Sequence, residues 1–68
     1  MNVDIIERLD QERAELAHRL EKLIVFLNKQ EKEQTVSDYQ LDLLYRQYMY
    51  MQEYMNVLNQ RIKDLDLE

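Results

Sequence analysis

The stretch LDLLYRQYMYMQEYMNVLNQRIKDL (residues 41–65) decides the fold, because its apolar residues recur at alternating steps of three and four. This rhythm places them in one stripe along a helix, whereas a half-buried strand would require strict alternation. The stripe consists of Leu41, Leu44, Tyr48, Met51, Met55, Leu58, Ile62 and Leu65. We therefore predict a helix over about residues 37–65.

A second stripe with the same rhythm lies in the N-terminal half of the chain. It runs through Ile6, Leu9, Arg13, Leu16, Leu20, Leu23 and Leu27. The polar segment that follows lacks the rhythm, and Asn28 is a plausible left-handed cap in a chain without glycine. We predict a helix over about residues 3–28, a loop over about 29–36, and a single helical-hairpin domain spanning residues 1–68.

The start of the second helix carries a specific capping signal. Ser37-Asp-Tyr-Gln40 matches a capping box, in which the Ser37 hydroxyl accepts a hydrogen bond from the Gln40 amide. The Gln40 side chain is expected to return a hydrogen bond to the Ser37 amide. The signal predicts that the helix begins immediately after Ser37.

Arg13 is the one charged residue in the first stripe. A connection of about eight residues pairs the helices antiparallel and places Arg13 near Met55. We expect the Arg13 stem to pack in the core while its guanidinium reaches solvent or bonds to Gln52 or Asn59. Such a polar residue in the core stripe fixes the register of the two helices.

The composition excludes several classes of function. The 68 residues include no cysteine, glycine or proline and a single histidine, His18, so we expect no disulfide, no metal site and no phosphate-cradling loop. The net charge of −5 disfavours DNA, RNA and anionic membranes as partners. The carboxylates lie mainly on solvent faces. We therefore predict a cytoplasmic protein that is not an enzyme and has no cofactor.

Both helices carry more apolar surface than one hairpin can bury. A second row on the C-terminal helix contains Leu43, Tyr50, Tyr54 and Val57, and the N-terminal helix adds Ile5, Ala17, Ile24, Val25 and Phe26. Such rows on a small protein usually mark an interface. We predict an all-α antiparallel two-helix hairpin that assembles into a homo-oligomeric helical bundle. Pairing within one chain and swapping between chains both remain open.

The order of residues over 7–62 resembles a known family. It runs through Glu7-Arg8-Leu9, Glu12, Glu15-Leu16, Arg19-Leu20, Lys22-Leu23, Phe26-Leu27, Leu43-Leu44, Gln47, Met51, Tyr54, Val57-Leu58 and Arg61-Ile62. This order is similar to that of the small phage hairpin proteins grouped as anti-CBASS and anti-Thoeris cyclic-nucleotide sponges. The resemblance implies a homo-oligomer, a hexamer in known cases, that sequesters cyclic di- or trinucleotides between subunits without cleaving them.

The resemblance also implies a set of ligand-binding residues. Phosphates would be held by Lys22, with Arg19 as its neighbour, and by Arg61 towards the end of the second helix. In the family, an aromatic residue ahead of the first long helix stacks on the base. Residues 1–4 of this chain hold no tyrosine, so that contact is either missing or supplied by Tyr54.

A second class of function is a protein-interaction module. In that case the hairpin docks a protein partner through Leu43, Tyr50, Tyr54 and Val57 and binds no nucleotide. The two hypotheses differ in one observable property: a sponge is stabilised by its nucleotide in a dose-dependent way, whereas an interaction module is indifferent to nucleotides.

Overall fold

The computed structural model describes residues 3–67 as two long antiparallel helices. Helix α1 spans Val3–Lys32 and helix α2 spans Asp38–Asp66. They pack against each other along their length and form a rod of 49 × 15 × 13 Å. The predicted all-α hairpin is confirmed.

A single stripe of leucines and methionines between the helices forms the core. Leu9, Leu16 and Leu58 are buried at its centre, and Leu23 and Leu27 are buried nearer the loop. Around the centre pack the partly buried Leu20, Met51, Met55, Ile62 and Leu65. Each fully buried leucine side chain contributes roughly 1.5–3 kcal/mol, so the hairpin depends on a small core.

Helix α1 is longer than predicted, and the loop is shorter. The helix continues past Asn28 to Lys32, and no residue in 3–67 has a positive φ angle. The cause is Gln30, which is buried. Its Oε1 accepts hydrogen bonds from the backbone N–H groups of Thr35 at 2.8 Å and Val36 at 3.2 Å. These bonds turn the chain within five residues, 33–37.

The shorter loop moves the register of the helices by four residues, about one turn. Arg13 Nη1 donates to Asn59 Oδ1 at 2.9 Å, so the predicted proximity to Met55 is displaced towards the C terminus. Arg13 Nη2 also donates to Asp10 Oδ1 at 2.7 Å. Of the three expected alternatives, solvent, Gln52 or Asn59, the guanidinium bonds to Asn59. The bond places Arg13 and Asn59 at about the same position along the axis of the rod, which we call height. Because the helices are antiparallel, any residue of α1 and the residue of α2 at the same height have numbers that add up to about 72.

The cap of α2 forms in part. Ser37 has extended backbone geometry and its Oγ accepts from the Gln40 N–H at 3.1 Å. Within residues 3–67, the expected return bond from the Gln40 side chain is absent. Gln34 instead reaches across the helix start, donating to Asp38 Oδ1 at 2.7 Å and to the Val36 carbonyl at 2.9 Å.

Candidate ligand-binding surface

The two long sides of the rod, on either side of the line where the helices meet, carry different residues. On one side, named here the amide side, a depression of about 280 Å³ is lined by Leu20, Gln52, Met55, Asn56 and Asn59. The bond between Arg13 and Asn59 lies on this side. The other side carries a larger opening and is described next.

An open, largely apolar groove of about 540 Å³ runs along α2 on the other side. We name it the tyrosine groove, and it is lined by Leu43, Arg46, Gln47, Tyr50, Met51 and Tyr54. Tyr50 is 72% exposed and Tyr54 is 45% exposed. Arg46 at its edge is paired with Asp42 at 3.0 Å. The groove therefore offers aromatic surface to a partner or ligand.

The four predicted ligand-binding residues are all exposed. Helical spacing of about 100° per residue places Arg19, Tyr54 and Arg61 across the core stripe from Arg13 and Asn59, on the side of the tyrosine groove. Lys22 lies further around α1, at the outer edge of the same side. Helical spacing therefore places Arg19, Tyr54 and Arg61 on one side of the rod, with Lys22 at its edge.

Within one hairpin these residues lie at different heights along the rod. The register places Tyr54 level with Arg19, and Arg61 level with Gln11. At 1.5 Å of rise per residue, Lys22 and Arg61 are about 16 Å apart along the axis. A single chain places Arg19 and Tyr54 at the same height and Lys22 and Arg61 at different heights.

The cations on this side are available for a ligand. In the described part of the chain, ion pairs engage Arg13 and Arg46, whereas Arg19, Lys22 and Arg61 have no carboxylate partner within 4.0 Å. A guanidinium can bind a phosphate through two parallel hydrogen bonds, and an ammonium acts as a point charge. The local chemistry therefore suits an anion, although the net charge of −5 opposes one at long range.

A polar contact near the loop joins the two helices on the amide side. The Tyr45 hydroxyl donates to Glu31 Oε1 at 3.3 Å. Partial loss of water around the hydroxyl, followed by the charge and the hydrogen bond of Glu31, raises the pKa of Tyr45 above its ordinary value. The contact lies away from the tyrosine groove and is structural.

Sequence reasoning missed Gln47 as a member of the groove. The row of Leu43, Tyr50 and Tyr54 was evident from the apolar residues, but Gln47 completes it at steps of four, three and four. A search for helical spacing that admitted uncharged polar residues would have found it. The long stem of glutamine can line an apolar groove while its amide faces solvent.

Residues 3–67 hold no group of three or more histidine, aspartate or glutamate side chains arranged to bind a metal ion. Within the same range, neither helix combines the length and the hydropathy that crossing a membrane requires.

Fold and surface together define the class: a small all-α hairpin with an aromatic groove and unpaired cations on one side. A family model described as Sequestin matches residues 4–64, and the chain belongs to the Sequestin family. The family name fits a sequestering function. No curated protein and no solved structure matches the chain.

Proposed function

We propose that this protein is a phage counter-defence protein that binds cyclic di- or trinucleotide immune signals in the bacterial host cytoplasm and sequesters them without cleavage. The observation that carries the proposal is the exposure of Arg19 and Arg61, both without a carboxylate partner, on the same side as the Tyr54 ring. Sequestration requires affinity and copy number, both of which a small chain can supply.

Each proposed contact has a distinct chemical role. Arg19 and Arg61 bind phosphate oxygens through charge-assisted hydrogen bonds, and Lys22 adds a compact positive charge. Tyr54 offers a ring face on which a nucleobase stacks, an interaction that tolerates any base. The two kinds of contact match the two parts of a cyclic nucleotide, its anionic backbone and its flat bases.

The proposed site requires more than one copy of the chain. Because Lys22 and Arg61 are about 16 Å apart along one hairpin, we expect a compact cyclic nucleotide to contact cations of more than one copy. This favours a homo-oligomer, and the resemblance to the sponges points to a hexamer. The exposed groove residues supply apolar surface for such contacts.

Charge-reversal variants test the site. Binding of a panel of cyclic di- and trinucleotides is measured by titration calorimetry for the wild type, Lys22→Glu and Arg61→Glu. Loss of one charged hydrogen bond weakens binding by at least about 10-fold, and reversing the charge should abolish it. Lys63→Glu is the matched control because it makes the same charge change on the other side of α2. Unchanged affinity in both test variants contradicts the assignment.

Recovery of the ligand tests sequestration against turnover. The nucleotide complex is incubated, the protein is heat-denatured, and the released nucleotide is analysed by chromatography. The proposal predicts quantitative return of the intact cyclic nucleotide. A linear product that accumulates with time would show that the protein is an enzyme.

The tyrosine groove also favours a second candidate function, a protein-docking module. Its size and its apolar lining suit a helix or an extended segment of a partner as well as they suit a base. This candidate predicts no stabilisation by any nucleotide in the panel and a groove that becomes buried only with the partner.

A further inference from the structure

Helix α2 carries a second stripe beside the one that forms the core. It runs at steps of four, three, four, three and four through Leu43, Gln47, Tyr50, Tyr54, Val57 and Arg61. We name it the outer stripe, and its centre lies about 100° around the helix from the core stripe. A helix with two stripes separated in this way packs on two neighbours, as in a four-helix bundle. One neighbour is α1, and the second position is open.

The exposed area of the hairpin supports a missing neighbour. The chain exposes 5592 Å², whereas a compact monomer of 8.4 kDa exposes about 4,600 Å². The excess of about 1,000 Å² is close to the roughly 800 Å² that each partner buries in a stable interface. One helix packed along the outer stripe would remove an area of this size.

The charges on α1 identify which helix fills the position. On the groove side, the flank of α1 carries five charged residues, Arg8, Glu12, Glu15, Arg19 and Lys22, and one exposed aromatic residue, Phe26. Burying the charged groups against the tyrosine groove would remove their water without supplying partners. The outer stripe of a second copy has the matching apolar and aromatic surface. The occupant is therefore α2 of a second copy of this chain.

We propose that two copies pair through their outer stripes, antiparallel, about a two-fold axis at the height of Gln52. This arrangement packs one face of the Tyr54 ring against Tyr50 of the second copy on both sides of the axis, so the other face stays available to a base, and it places Arg61 beside Leu43 at the ends. A parallel arrangement would place the two Arg61 side chains against each other. Like charges in contact disfavour it, so the antiparallel pairing is the one that the sequence supports.

The two-fold axis predicts where the cations of the ligand site lie in the pair. This part of the inference rests on the proposed function. By the observed register, Gln52 is level with Leu20, so Arg19 and Lys22 lie within about 3 Å of the height of the axis. The pairing therefore brings the Arg19 and Lys22 side chains of both copies to one height. A two-fold set of these cations matches the two phosphates of a cyclic dinucleotide, and Arg61, whose height differs from that of the axis by about 14 Å, would contact a ligand only in a larger assembly.

Disulfide cross-linking tests the pairing without any nucleotide, so its result is independent of the proposed function. The chain has no cysteine, which permits single-cysteine variants. Tyr50→Cys is prepared with nitrogen-15, mixed and refolded with unlabelled Tyr54→Cys, and oxidised. Mass spectrometry should show the mixed disulfide as the main cross-linked product. Predominance of Tyr50 or Tyr54 homodisulfides, or of uncrosslinked chains, would overturn the antiparallel pairing.

Sedimentation equilibrium provides a second test of the pairing, and this test does not depend on replacing the tyrosines. Val57→Glu places a charge in the outer stripe and should produce an assembly of smaller mass than the wild type. Circular dichroism should show that this smaller assembly is still helical. Met49→Glu is the matched control because Met49 is 63% exposed on α2 but lies outside the outer stripe, and its mass should equal the wild-type value. A Val57→Glu protein of wild-type mass overturns the proposal.

Discussion

Replacing Gln30 by methionine should lower the free energy of unfolding of the hairpin, even though no other residue of the loop is changed. Gln30 is 6% exposed and accepts from two backbone amides, those of Thr35 and Val36. Its Nε2 also donates to Thr35 Oγ1 at 2.8 Å. Methionine fills a similar volume but supplies none of these bonds. At about 0.5–1.5 kcal/mol for each backbone bond, the cost is about 1–3 kcal/mol, a 5- to 150-fold change in the folding equilibrium.

The assay for Gln30→Met is urea unfolding followed by far-ultraviolet circular dichroism at one fixed protein concentration, because self-association couples stability to concentration. The midpoint should fall with little change in slope. Gln34→Met is the control, since Gln34 bonds in the same loop but is exposed, and it should cost about 0.5 kcal/mol or less. Equal effects of the two variants would refute the role given to Gln30.

Three further predictions concern the cap, the interhelix contact and the ligand. Ser37→Ala should cost about 1 kcal/mol in urea unfolding, whereas Ser37→Asp should retain most of the stability; equal losses would contradict the cap. The raised pKa of Tyr45 means that its contact stabilises the fold below about pH 10 and is lost as the pH rises through the raised pKa. The stability difference between wild type and Tyr45→Phe should therefore shrink between pH 9 and pH 12, and a constant difference would refute it. A nucleotide at 100 times its Kd should stabilise the wild type by about 2.7 kcal/mol, and an unchanged urea midpoint would count against binding.

The helices themselves were predictable because their signals are local. The two stripes follow from residue spacing, and the start of α2 follows from the Ser37 side chain and the Gln40 amide, four residues of sequence. Spacing also limited the surroundings of the Arg13 guanidinium to solvent, Gln52 or Asn59, and the structure shows Asn59. These features depend on neighbours in sequence or on one face of a helix.

The end of α1 was not predictable because it depends on a contact across the turn. Residues 29–32 contain no glycine or proline and continue the helix as readily as they form a loop. The choice is made when Gln30 bonds to Thr35 and Val36. The register of the two helices follows from that choice and was therefore displaced as well.

The exposure of the four candidate residues was predictable, but their relative positions were not. Spacing alone shows that Arg19, Tyr54 and Arg61 are exposed positions of amphipathic helices. Their relative heights, and so the distance between Lys22 and Arg61, depend on the register that the loop sets. That distance is a second reason to expect another copy, beside the apolar rows that one hairpin leaves exposed.

Native mass spectrometry of the purified protein with a panel of cyclic di- and trinucleotides tests the central claim most directly. One spectrum reports the number of subunits and the mass of any bound ligand. The account predicts a closed homo-oligomer that carries intact nucleotide at a fixed ratio to its subunits. An oligomer without adducts across the whole panel would contradict the sponge and favour the protein-docking module.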